Sequence, residues 1–494
     1  MTDANKTPSL LENWISLAGI ILASGAFFAV AALVAIDTFS GTHNPYMGIL
    51  TYLVAPGFLV AGLALIVAGA LWERRRRHHL APGEVPRHPV LDFNQPRQRN
   101  AFMMVSIVAF IFLLATAFGA YRTYHFTESV SFCGQTCHQV MAPEFTAYQN
   151  SPHARVTCVQ CHIGPGAGWF VKSKLSGAYQ VYAALANVYP RPIPTPIENL
   201  RPAQETCEQC HWPSKFFGNA ERVNQHYFSD SANTPWTIRL LMHVGGGNPD
   251  VGRVGGIHWH MNIANTIEYI ATDSVRQVIP WVRVTDAAGN VTVYQSSSAP
   301  LTPEQVDSTT PRRMDCVDCH NRPAHQYNAP ARAVNLAMST GRISPELPWI
   351  KRNATALLTA EYASTAEALD SIATSLERDY ATWTDREAVR QAADELKKIY
   401  QTNFFPEMKV QWRAYPNNVG HTLFPGCYRC HDGDHSAPDG RVITHECTTC
   451  HTIIGQGTGP AAETLSPQGL EFQHPVEIGE AWRVINCAQC HTGG

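Results

Sequence analysis

The chain has 494 residues, room for several domains, with 37 basic against 40 acidic side chains. That balance gives no ground for a nucleic-acid partner. Hydrophobic content is an ordinary 45% on average but very uneven along the chain, and the 14 cysteines are the outlying count.

The first elements are apolar. Residues 14–39, 47–72 and 101–122 are each long enough to cross a bilayer core as a helix, and Asp37 and Arg122 are their only charges. The first run is too long for a cleaved signal peptide and a second follows closely, so it reads as an anchor. Between the second and third runs, residues 73–100 hold seven arginines (Arg74, Arg75, Arg76, Arg77, Arg87, Arg97, Arg99) against Glu73, Glu84 and Asp92. The loop from Gly41 to Tyr46 has no basic residue. The positive-inside rule then makes 73–100 and the N-terminus cytoplasmic and sends everything after Tyr124 to the outer side. Outside residues 73–100 the chain carries 30 basic against 37 acidic residues, which makes the outer face mildly acidic.

All 14 cysteines lie in seven copies of one pattern: Cys133-x-x-x-Cys137-His138, Cys158-x-x-Cys161-His162, Cys207-x-x-Cys210-His211, Cys316-x-x-Cys319-His320, Cys427-x-x-Cys430-His431, Cys447-x-x-Cys450-His451 and Cys487-x-x-Cys490-His491. C-x-x-C-H is the attachment pattern of c-type haem: two thiols add to the vinyl groups and the next histidine ligates the iron. A zinc knuckle or a redox dithiol gives no reason for a histidine after every second cysteine. The first copy has one residue too many between its thiols, and a longer bridge still reaches both vinyls. Seven covalent haems follow, all outside the membrane, in the compartment where haem attachment occurs.

The expected architecture is a membrane-anchored multihaem cytochrome c. A three-helix anchor occupies residues 1–124, a four-haem domain 125–334, a helical insert 335–401 and a three-haem segment 402–494. The outer part is expected to be mainly α and irregular, packed on porphyrins, with one small β-hairpin where residues 276–295 alternate about Ala288-Gly289-Asn290. The glycine-rich residues 245–256 lack the pattern of a phosphate loop.

Six-coordinate irons need a second ligand. Histidines beside a motif are the first candidates: His153, His325, His421, His435 and His474. One of His258 and His260 is the next, with His226 close behind. An extended strand would set both histidines of His258-Trp259-His260 on one face, with one reaching an iron. The first haem is left without a histidine. Met141, three residues after His138, is its candidate ligand, and methionine raises a haem potential. The apolar runs contain no histidine, so no haem is held within the bilayer and the first motif is the redox centre nearest to it.

From the third apolar run to Cys316 the chain resembles the NapC/NirT group of membrane-anchored multihaem quinol dehydrogenases. The carrying segments are Ser131-Phe-Cys-Gly-Gln-Thr-Cys-His138, Tyr148-Gln-Asn-Ser-Pro-His153 and Cys158-Val-Gln-Cys-His-Ile-Gly-Pro-Gly-Ala-Gly-Trp-Phe-Val-Lys172. Seven haems after three spans are most similar to the inner-membrane cytochromes of metal-respiring bacteria. The resemblance implies menaquinol oxidation at the membrane-proximal haem of the cytoplasmic membrane, with electrons passing to a periplasmic cytochrome or reductase. It implies that Met141 ligates the first haem in place of His138, that His153 serves the haem of Cys207 and Cys210, and that Lys172 or Lys174 lines the quinol pocket. The acidic residue expected two turns beyond that lysine is absent, since Tyr179 and Val181 stand there; Glu144 is the substitute. Two other directions stay open: a module wired to another membrane dehydrogenase, or reverse transfer to quinone. A terminal reductase is disfavoured because no C-x-x-C-K motif is present.

Overall fold

The computed structural model describes residues 9–39, 55–78, 92–136, 138–164, 166–197, 201–246, 255–261 and 265–494. It divides into two compact units, residues 1–128 with 163–178, and residues 129–162 with 179–494.

The first unit contains helices α1 (Trp14–Phe39), α2 (Ala55–His78) and α3 (Pro96–Thr127). Among the described residues, α1 and α2 are long and apolar enough to cross a bilayer. They pack closely because small residues line the seam. A Cβ at Gly62 would come within 2.6 Å of the Ala23 backbone nitrogen, and one at Gly69 within 2.6 Å of that of Ser16. Polar side chains at the seam satisfy backbone: Asn13 Nδ2 donates to Gly69 O at 3.2 Å, and Ser16 Oγ to Ile66 O at 3.2 Å. In the second run the described helix, Ala55–His78, continues through Arg74–Arg77, whose charges favour the C-terminal end of a helix. Residues 47–54 and most of the basic loop lie outside the described residues. The third run is helical within α3, and several of its side chains also lie outside them. Two candidate spans are therefore in hand where three were expected.

The second unit begins with α4 (His138–Gln149). Helix α5 (Ala167–Leu185) starts in the first unit and ends in the second. Strands β1 (Ala220–Tyr227) and β2 (Pro235–Met242) follow, then β3 (Thr266–Ile270), β4 (Trp281–Thr285), β5 (Val291–Ser296) and β6 (Arg312–Arg313). Helices α6 (Pro330–Ser339), α7 (Ile350–Thr359), α8 (Thr365–Asp379) and α9 (Arg386–Asn403) come next, and strands β7 (His435–Ser436) and β8 (His451–Gly457) close the order.

More sheet is present than one hairpin. Strands β4 and β5 pair antiparallel about a turn in which Asp286 accepts from the backbone of Ala288 and Asn290. They sit inside a five-stranded sheet of order β6-β3-β4-β5-β7. A second sheet, β1-β2-β8, joins Thr237–Met242 to the C-terminal strand. Strands β1 and β2 are neighbours in the chain but β8 lies far downstream, so local alternation could not announce its pairing with β2. The same pairing joins residues on either side of residue 402, because β8 is a strand of a sheet begun before residue 245.

The helical stretch forms an apolar core. Helices α6–α9 bury Val334, Ile350, Leu358, Ile372, Leu376 and Leu396 almost completely, with Ala147 of α4 and Trp412 in the same cluster. Their apolar positions recur at helical spacing, and Ser364 and Asp385 cap α8 and α9 by accepting from Glu367 N and Ala388 N.

Candidate haem centres and quinol-side residues

The six C-x-x-C-H motifs each fold as one short helical turn, which sets cysteines three residues apart on one side. The histidine amide closes the turn on the first cysteine's carbonyl: His211 on Cys207 at 2.8 Å, His320 on Cys316 at 2.8 Å, His431 on Cys427 at 3.0 Å and His491 on Cys487 at 2.8 Å. In the first motif a wider π-helical turn, Phe132–Thr136, absorbs the extra residue. Gly134 is needed there, since a Cβ would press into the ring of Phe145. Cys137 and the His138 side chain lie outside the described residues; Met141 is half-buried on α4. Among the described residues no cysteine forms a disulfide.

Six motif histidines each face one histidine from elsewhere. Ring centres are 6.2 Å apart for His162 and His325, 6.1 Å for His211 and His153, and 6.3 Å for His320 and His258. They are 5.8 Å apart for His431 and His260, 6.3 Å for His451 and His421, and 6.0 Å for His491 and His474. An imidazole nitrogen binds a metal at about 2 Å and lies about 1 Å from its ring centre, so two rings sharing one iron stand about 6 Å apart. The six spacings fit an iron between each pair.

Hydrogen bonds fix which nitrogen faces inward. Nδ1 donates to a backbone carbonyl in His153 (Pro323, 3.2 Å), His258 (Val244, 2.9 Å), His260 (Ile257, 3.0 Å), His325 (Glu144, 2.9 Å), His431 (Thr444, 2.7 Å) and His474 (Val476, 2.7 Å). That leaves Nε2 as a lone-pair donor, the usual arrangement of a ligating histidine. Burial lowers the pKa of His162, His258, His260, His320, His325, His421 and His491, and takes His451 down to about 4. These rings are neutral near pH 7, as metal binding requires.

Three expectations change. His435 faces no motif histidine: its Nδ1 bonds Asp432 at 2.9 Å and its Nε2 bonds the Ile279 carbonyl at 2.7 Å, so neither nitrogen is available. Burial pulls its pKa down, but those bonds outweigh it and leave the pKa raised, an imidazolium held by Asp432. His258 and His260 both face a motif ring, because they sit on a 3-10 turn, Ile257–Met261, rather than a strand. Nearness to a motif also does not name the centre served. His325, just after the fourth motif, faces His162 of the second, and His421, just before the fifth, faces His451 of the sixth. His226 bonds Asn335 instead of facing a motif ring.

Lys174 and Lys172 lie on α5 in the first unit. Lys174 pairs with Glu128, at the end of α3, and donates to Thr127 Oγ1 at 3.3 Å. Lys172 is exposed with its ammonium 5.0 Å over Trp169. Glu128 is a residue that sequence reasoning missed; an acid at the exit of the third apolar run was the available signal. Glu144 is occupied elsewhere. It lies in the second unit, with Arg322 Nη2 at 3.3 Å and His325 Nδ1 at 3.2 Å from Oε2.

Paired imidazoles at iron-spanning distance, beside two-thiol turns and behind long apolar helices, define a membrane-anchored multihaem cytochrome c. Residues 95–192 match the N-terminal region of the NapC/NirT cytochrome c family. Over 495 positions the chain is 44% identical to the cytochrome c-type protein ImcH of Geobacter sulfurreducens, covering 98% of this chain and 96% of that protein. The chain belongs to the NapC/NirT cytochrome c family, and its haem is covalently bound. No solved structure matches it.

Proposed function

We propose that the protein is an inner-membrane quinol dehydrogenase. It takes electrons from menaquinol at the membrane end and passes them singly, through seven c-type haems, to a periplasmic cytochrome or reductase. The six histidine pairs carry the electron-transfer reading. With the first motif, whose ligand would be Met141 or His138, they account for seven centres. The cysteines of each motif would hold the porphyrin and the paired histidines its iron. A bound haem supplies reversible one-electron chemistry in this scheme. N-terminus in the cytoplasm, α3 as the third span and the motifs in the periplasm complete the topology.

Quinol oxidation also releases two protons. Lys174 and Glu128 support this end, because a paired ammonium and carboxylate at the close of an apolar helix offer a polar anchor for a quinol hydroxyl and a proton acceptor. Glu128 lies five residues before Cys133 in the chain. Lys172 is the second basic candidate. Glu144, bonded to Arg322 and His325, serves better as the brace of His325 than as a proton acceptor.

The test is reduction of the detergent-solubilised protein by a menaquinol analogue, followed by haem absorbance. Wild-type protein is reduced, and Glu128→Gln and Lys174→Gln slow the first phase by about a hundredfold. If the analogue leaves every haem oxidised while dithionite reduces them, the quinol reading falls.

A further inference from the structure

The fourth and fifth motifs touch directly. Arg429, within the fifth, is buried and donates from Nη2 to the carbonyl of Asp318, within the fourth, at 2.8 Å. Its Nη1 donates to Arg276 O at 2.9 Å and its Nε to Gly426 O at 2.8 Å. Asn418 Nδ2 adds a bond to the same Asp318 carbonyl at 3.0 Å. The Asp318 carboxylate is held from the other side by Tyr269 Oη at 2.8 Å and Arg312 Nε at 2.9 Å. A guanidinium spending three bonds on backbone carbonyls between two attachment turns fixes their separation.

The rings facing these motifs come from a single turn. His258 meets His320 with planes 8° apart, and His260 meets His431 with planes 86° apart. Residues two apart on a 3-10 turn point about 120° away from each other, so one short stretch of backbone presents rings to two centres. Trp259 packs instead against the cluster of Ile267, Tyr269, Ile279 and Val282. The remaining pairs stay on one side of this division: His162 with His325 and His211 with His153 before it, His451 with His421 and His491 with His474 after it. Among the described residues, no other segment offers rings to both groups.

We propose that His258-Trp259-His260 is an electron joint, carrying one axial ligand for the fourth haem and one for the fifth, and that electrons cross there from the first four haems to the last three. The inference rests on the ligation described under the proposed function. With haem bound, His258 would hold the iron of the fourth centre and His260 that of the fifth, and the single electron a reduced fourth centre would give up is the one an oxidised fifth centre would take, with no bond made or broken and no proton moved.

The experiment uses the full-length haem-loaded protein with His258→Gly, His260→Gly and the double variant. Each single variant turns one haem high-spin by electron paramagnetic resonance and absorption, the double variant turns two, and added imidazole restores them. The lost low-spin signal differs: that of parallel ligand planes for His258→Gly, the more anisotropic one of crossed planes for His260→Gly. In rapid mixing with a menaquinol analogue, a centre with altered ligation stalls onward transfer. The last phase of reduction slows about tenfold in His260→Gly and recovers with imidazole. A double variant with fewer than two high-spin haems, or with an unchanged last phase, overturns the proposal. His258→Met and His260→Met retain a side chain at each site should the glycine variants fold poorly, and there the expected change is the low-spin signature of a methionine-ligated haem. If wild-type protein takes no electrons from the analogue, the quinol reading fails and the spin count still decides this one.

Discussion

Helices α6–α9 and the motif-bearing segments of the second unit are built on opposite plans. The helices hold their place by apolar burial, with leucine and isoleucine side chains near zero exposure and caps at the ends. The motif segments form turns of three to five residues. Their order comes from directed contacts: histidine pairs, Arg429 on backbone carbonyls, Asp318 among Tyr269, Arg276 and Arg312. One region is held by a core of apolar side chains. The other spaces its side chains as a porphyrin requires.

That contrast breaks most sharply in the helices. Leu376→Ala, at a fully buried position of α8, lowers stability by about 3 kcal/mol with haem content unchanged, measured by thermal unfolding followed by far-ultraviolet circular dichroism. Loss of haem absorbance alongside it would show that the two regions do not separate. In the motif region the corresponding blow is polar. Asp318→Asn removes a buried carboxylate from two arginines and a tyrosine, costing about 2 kcal/mol, and perturbs the fourth and fifth haems before the others in a potentiometric titration.

The smallest effect is a matter of pH. Because its folded pKa is raised, His435 contributes stability that is full below the ordinary histidine value of about 6.5 and is lost as pH rises through the raised value. The groups facing it are Asp432, the Ile279 carbonyl and the nearby Asp434. His435→Gln should therefore cost about 1 kcal/mol at pH 6 and less with rising pH, read from denaturant midpoints. A cost that grows with pH would place the charge elsewhere.

Legibility in the sequence divides along the same line. The attachment motifs could be read because two thiols and an imidazole act within one turn. The apolar runs and α6–α9 could be read from composition and periodicity. Distal partners were only half legible: His153, His325, His421 and His474 are near motifs, but chain nearness does not say which iron a ring reaches. It also drew in His435, whose nitrogens are spoken for. The pair His258 and His260 was read on a strand because the local 3-10 turn depends on contacts with Val244 and Gly256. The pairing of Lys174 with Glu128 escaped because 46 residues separate them. The sheets escaped because β6, β7 and β8 pair with strands far upstream.

The placement of His325 carries a consequence for biogenesis. On the proposed ligation, the haem at Cys158 and Cys161 is completed by a residue that follows two further attachment motifs. A chain whose outer part crosses the membrane in chain order would therefore hold that haem without His325 until the segment past Cys319 has crossed. Closure of the second centre then reports that the fourth motif has arrived, a built-in order of maturation.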